Sequence, residues 1–226
     1  VLSLSELNQL FETGNTSVSA VSTSYFRDQI VSGAGYFKGI SDASGGSYSL
    51  GSPSGQGGVY LNRLFDEYGV EYGEVIDKGL YAAALYNYAT TFMSTSMTQA
   101  DLDRVVCLFG ANPSFANSGS SNVARPDILM ANYAARRDKL SSSAPGYYSM
   151  FKNSCLRAQA AIEAGPGYSS TLESSLTSLR SSWEKASAAT AINYCHSTLA
   201  SLSATNVDSA AIASGLHAYA ECLGFI

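Results

Sequence analysis

The strongest constraint on this chain is a long helical column in residues 168–202. Leu172, Leu176, Leu179, Trp183, Ala186, Thr190 and Tyr194 follow one another at steps of three and four. That near-heptad spacing stacks them on one face of an α-helix, whereas a half-buried strand needs a step of two. Trp183 sits at the middle of this face, so it is expected to be buried and central.

Most of the remaining sequence follows the same period. Residues 3–13 place Leu4, Leu7, Leu10 and Phe11 on one side, and residues 16–31 form a looser segment with Val18, Val21, Tyr25, Phe26 and Ile30. Residues 32–58 are rich in Gly and Ser and read as a long irregular loop. Residues 59–68 read as a short helix interrupted at Gly69. From Val70 the positions Tyr72, Val75, Ile76, Gly79, Ala83, Tyr86, Thr90, Met93 and Met97 mark a further helical face. Thr98 with Asp101 has the spacing of a capping box and opens a helix over residues 100–109. Helices are expected over residues 126–140 and 146–164, the second stopped by Gly165-Pro166-Gly167. Asn206 or Asp208 caps the last helix, expected to bury Ile212, Leu216, Tyr219, Leu223 and Ile226. Strand-like alternation is absent. The expected fold is all-α: a single-domain antiparallel bundle of about seven helices over residues 1–226, with a Gly/Ser-rich loop near the N-terminus. Residues 1–56 are the less regular part and residues 57–226 the helical core.

Composition narrows the function classes. Charged residues make up 14% of the chain, well under the usual quarter. A polar, weakly charged surface of this kind suits an extracytoplasmic protein: secreted, periplasmic, on the cell surface or in an organelle lumen. Residue 1 is Val, so an upstream segment is expected to have been removed. The net charge is −5, and the one basic cluster, Arg136-Arg137 with Lys139, is flanked by Asp138. This argues against nucleic acid, which needs a basic stripe. No run approaches the roughly 18 apolar residues of a membrane span.

Four blocks resemble a known family. They are Gly69-Val70-Glu71-Tyr72 with Ile76-Asp77-Lys78-Gly79-Leu80, Ala83, Tyr86 and Ala89-Thr90-Thr91; Leu102-Asp103 with Phe109-Gly110 and Pro113; Phe151-Lys152 with Arg157-Ala158 and Ala161-Ile162; and Trp183-Glu184-Lys185 through Tyr194 with residues 215–226. Together, over about residues 57–226, they resemble the domain of unknown function 4856 family of bacterial envelope proteins. The resemblance implies a helical extracytoplasmic protein with no assigned reaction. The last block is also similar to imelysin-type iron-regulated envelope proteins. Their Gly-x-His-x-x-Glu motif sets the glutamate one residue earlier than Glu221 stands here.

His217 and Glu221 are four residues apart on a helix, so both can reach one point, as two metal ligands do. Glu71, Glu74 and Asp77 form a carboxylate row that would complete a site for a divalent or ferric ion. The alternatives are a solvent-facing pair, since His217 and Glu221 point away from the Leu216–Tyr219–Leu223 face, or a buried structural pair. The carboxylate row reads equally as a solvated face with Lys78 and Lys185 as partners. Tyr81, Tyr86, Tyr88, Tyr147 and Tyr148 could line a ligand groove or fill the core. Cys107, Cys155, Cys195 and Cys222 are disulfide candidates. If the last two helices turn at residues 203–207, Cys195 and Cys222 are offset by about 10 Å at ~1.5 Å per residue. Bridges are then expected to link Cys107 and Cys155 to Cys195 and Cys222. Nucleophilic catalysis is poorly supported: only two histidines exist to serve as a base, and the Gly51-Ser52-Pro53-Ser54-Gly55 string lacks the strand–turn–helix context of a nucleophile elbow. The leading expectation is a non-catalytic extracytoplasmic binding or assembly protein. Its partner would be an unidentified protein or small ligand, or it would be a subunit of a larger assembly. The alternative is a metal-binding or iron-acquisition accessory using His217, Glu221 and the helix carboxylates.

Overall fold

A computed structural model describes residues 1–47, 55, 57–115, 126–138 and 145–226. The fold is all-α, with one short hairpin. The chain groups into two compact units, Val1–Ala84 with Ala191–Ile226, and Leu85–Thr190.

The first unit begins with α1 (Leu4–Glu12), α2 (Val18–Val21), α3 (Ser24–Val31) and α4 (Tyr36–Ser44). Ser3, Ser17 and Thr23 cap the first three, each side chain accepting a backbone N–H. The expected segment over 16–31 is thus broken at Ser22, where Thr23 starts a new helix. Phe11, Phe26, Ile30 and Phe37 form a core cluster with Leu4 and Leu7 packed on it, while Leu10 is exposed. Helix α4 corrects part of the expected loop at 32–58. Its apolar positions Phe37, Ile40 and Ala43 were masked by Gly and Ser neighbours. Gly39 is required there, because a Cβ would lie 2.4 Å from the Tyr72 ring. The rest of that loop, residues 48–54 and 56, lies outside the described residues.

The helix expected over 59–68 is instead a hairpin of β1 (Gly58–Tyr60) and β2 (Arg63–Phe65). Gly58 faces Phe65, Val59 faces Leu64 and Tyr60 faces Arg63. The two turn residues, Leu61 and Asn62, both have positive φ, at 47° and 65°. A two-residue hairpin needs that geometry, because its twist matches that of the strands. Leucine rarely adopts it, so the turn leaves little trace in the sequence. Asp66 then folds the chain back: its carboxylate accepts the N–H groups of Tyr68 and Val70 at 2.9 and 2.7 Å. Gly69, at φ 84°, completes the bend into α5 (Tyr72–Leu80). Helix α5 continues as a π-turn over Tyr81–Tyr86 and a last turn, α6 (Asn87–Thr90).

In the second unit, α7 (Gln99–Phe109) starts at the expected capping box. Thr98 Oγ1 accepts the Asp101 N–H, and the Asp101 carboxylate accepts the Thr98 N–H at 2.9 Å. Gly110, left-handed at φ 89°, ends the helix. Helices α8 (Leu129–Arg137) and α9 (Tyr147–Ala164) follow. Helix α10 (Ser169–Leu202) belongs to this unit up to Thr190 and to the first unit beyond it. Leu172, Leu176, Leu179, Trp183, Ala186 and Thr190 are all buried, as the column predicts. Trp183 meets Phe109 edge-on at 4.9 Å and Tyr86 at 5.3 Å, while Phe109 stacks on Phe151. Helix α11 (Ser209–Phe225) is capped by Asp208, whose carboxylate accepts the Ala211 N–H at 2.8 Å.

Candidate functional site

Helix α11 packs on α5 with a phase that differs from the expected one. Its buried residues are Ala213, Gly215, Ala218, Ala220, Glu221, Cys222, Gly224 and Phe225, whereas Tyr219 is 40% and Ile226 88% exposed. The helix is buried on two sides largely through small residues, with Phe225 buried at its end and Tyr219 left at the rim. On the α5 side, Gly224 seats directly on Lys78 and Val75; a Cβ there would lie 2.7 Å from Lys78 Cβ and from the Val75 carbonyl. On the α10 side, a Cβ at Gly215 would lie 2.6 Å from Leu202 Cδ2. Hydrophobic periodicity marks large apolar residues and cannot see a seam made of glycine and alanine.

His217, Glu221 and Gly224 form one stripe at i, i+4, i+7, and this stripe faces α5. His217 Nδ1 lies 2.8 Å from Glu71 Oε2 and 4.0 Å from Glu74 Oε1, and its Nε2 lies 3.4 Å from Glu221 Oε2. Lys78 is buried and reaches Glu74 at 3.0 Å, Asp77 at 2.5 Å and Glu221 at 3.5 Å. The contacts rise together along both helices, from Glu71–His217 to Lys78–Glu221, so α5 and α11 run in the same direction. This departs from a purely antiparallel bundle and is possible because the two helices are far apart in sequence.

The hairpin adds a second cation. Arg63 on β2 meets His217 Nδ1 and lies 3.5 Å from Glu71 Oε2. His217 Nδ1 can donate to Glu71 or accept from Arg63, but not both at once, so its tautomer selects between the two partners. Two cations, Arg63 and Lys78, stand against four carboxylates, Glu71, Glu74, Asp77 and Glu221. With His217 neutral the cluster carries two excess negative charges. Ligand atoms of Glu71, Glu74 and His217 all lie within 4.8 Å of one another. Imidazole and carboxylate donors suit zinc, iron or manganese. Of the residues singled out from the sequence, the fold brings His217, Glu221, Glu71 and Glu74 together. Asp77 lies to the side, half exposed, bound to Lys78 and Tyr81.

Beside this cluster, α3, α4, α5 and the end of α11 enclose a groove of about 610 Å³. Tyr25, Phe26, Tyr36, Tyr72 and Phe225 give it an aromatic wall, with Gly79, Ala82 and Ala83 as a low floor. Tyr36 stacks on Tyr72 with centroids 5.3 Å apart. Burial pushes both phenols up, Tyr72 to about 12 with Asp66 adding to the effect, so both hydroxyls keep their protons. These are not the tyrosines expected to line a groove. Tyr81 and Tyr148 are core residues, and Tyr148 donates to the buried Asp127 at 3.0 Å. Tyr86 lies on Trp183 and donates to Glu184.

The cysteines also depart from expectation. Cys195 Sγ and Cys222 Sγ are 3.0 Å apart, although an offset of several residues was expected between them. The reason lies in the path of the turn. Leu202 is level with Gly215, so the turn at residues 203–208 and the first six residues of α11 lie beyond the end of α10. Two helical turns back along α10 and two forward along α11 then reach Cys195 and Cys222 together. Cys107 and Cys155 instead line a groove of about 420 Å³ between α7 and α9. All four are free thiols.

Sequence reasoning missed Arg63, which a helix over 59–68 would have pointed elsewhere, and the groove tyrosines, which come from three separate helices. No protein-family model, no curated protein and no solved structure matches this chain. Among the described residues, no helix is long and apolar enough to cross a membrane.

Proposed function

We propose that the protein is a non-catalytic, extracytoplasmic binding protein that seats a small ligand with a flat apolar face in the aromatic groove of its first unit. The observation that carries this reading is the groove itself: a concave, aromatic-lined space with a few hydroxyls at its wall, the usual character of a small-molecule site. Tyr36 and Tyr72 are neutral and already stacked, so a ring can add to the stack at little entropic cost. The sparse charge of the chain supports the extracytoplasmic part. Ligand-observed NMR with indole and with methyl β-glucoside tests the reading. Saturation transfer to ring protons of at least one probe is expected, and it should vanish in Ala82→Trp, which fills the floor. Transfer to neither, or transfer unchanged in Ala82→Trp, removes the groove as the site.

A second reading rests on the cluster of Glu71, Glu74 and His217 with its excess of carboxylates. In it, the protein holds a divalent or ferric ion as a metal-binding or iron-acquisition accessory. Bound metal would have to displace Arg63 from His217 Nδ1. Calorimetric titration of untagged protein with Zn²⁺ or Mn²⁺ should then show a single site weakened at least about tenfold by Glu71→Gln.

A further inference from the structure

We propose that Cys195 and Cys222 form an intramolecular disulfide that staples α10 to α11. The two sulfurs already face each other at 3.0 Å, and a small rotation of each side chain closes the remaining distance to a bond of about 2.05 Å. The register is built in independently of the cysteines. Gly215 lets Leu202 and Ser201 sit against the α11 backbone, and this contact sets the level of both helices two turns away. Cys195 is exposed and Cys222 is buried, which divides the roles in bond formation.

The oxidant is a low-molecular-weight disulfide, RSSR. The exposed Cys195 thiolate attacks one sulfur of RSSR. The S–S bond breaks, and RS⁻ leaves with the electron pair and takes up the proton lost by Cys195. A mixed disulfide, Cys195–S–S–R, results. Cys222 then loses its proton to solvent base and attacks Cys195 Sγ. The Cys195–Cys222 bond forms as the bond to R breaks, and a second RS⁻ departs to be protonated. Two protein thiols are oxidised and one RSSR is reduced to two RSH. Cys222 is buried and Cys195 exposed, so the second step, in which the buried sulfur attacks, is the slow one. The staple anchors the helix that carries His217, Glu221 and Phe225.

Peptide mapping of the full chain after incubation with oxidised glutathione and quenching with N-ethylmaleimide tests this. One cross-linked peptide pair containing Cys195 and Cys222 is expected, with maleimide on Cys107 and Cys155. The oxidised protein should melt higher than the reduced protein by about 5–10 °C, because the bridge joins residues 27 positions apart and closes that loop in the unfolded chain. Dithiothreitol should reverse the shift, and Cys222→Ser should arrest at glutathionylated Cys195. A stable glutathione adduct on wild-type Cys195, a bridge that includes Cys107 or Cys155, or a bridge without a rise in melting temperature would each overturn the proposal.

Discussion

Replacing Lys78 by Met isolates the energetics of the α5–α11 seam. The ammonium group is buried and so is Glu221, whose carboxylate lies 3.5 Å away. At that separation and an effective dielectric near 20, their attraction is about 5 kcal/mol. The net value of the pair is much smaller, since both groups lost water on folding. Removing one partner has a larger effect, because Glu221 is left buried with no full cation beside it and only His217 Nε2 at 3.4 Å; breaking a buried pair in this way costs about 3–5 kcal/mol. Methionine keeps most of the stem that packs on Gly224, so lost packing is a minor part of the change. Asp77 is half exposed and can turn to solvent. The companion double variant, Lys78→Met with Glu221→Leu, removes both charges and should recover to within about 1.5 kcal/mol of wild type. Urea denaturation followed by far-UV circular dichroism measures all three; the fluorescence of Trp183 reports on the other unit. A Lys78→Met cost below about 1 kcal/mol, or a double variant no better than the single one, would show that water reaches this pair and that the seam rests on packing alone.

Two further outcomes follow from the second unit. Trp183→Ala should lose about 3–5 kcal/mol in the same denaturation assay. Trp183→Phe should lose far less, because it also removes an indole N–H buried without a hydrogen-bond partner among the described residues. Equal costs for the two would mean that the indole has an acceptor. Asp101 is held below the usual carboxylate range by the Thr98 N–H and hydroxyl, with Arg104 adding to the effect. Its folded pKa is depressed, so the cap's contribution is complete above the unfolded value of about 4 and disappears as pH falls through the folded value. The melting-temperature gap between wild type and Asp101→Asn should therefore be widest near neutral pH and close in acid. A gap independent of pH would show that the charge of Asp101 is irrelevant to the cap.

The helices at 99–109, 147–164, 169–202 and 209–225 were legible in the sequence because their signals are local. Each has a capping side chain, a stopping glycine or an apolar period contained in its own residues. The same holds for half of the candidate site. His217 and Glu221 share a helix face by spacing alone, while Glu71 is the N-cap residue of the helix that carries Glu74. Tertiary structure decided what those faces meet. Glycine seams at Gly215 and Gly224 rotated α11 away from the face its large residues suggested, since close backbone approach can replace large-side-chain burial. Strand pairing turned residues 58–65 into a hairpin and delivered Arg63 to His217, through a turn whose backbone geometry Leu61 does not advertise. The contact of Leu202 with Gly215 set two helices in register and brought Cys195 to Cys222. Contacts of these kinds depend on where distant segments pass one another in space, and no period within a single segment records that.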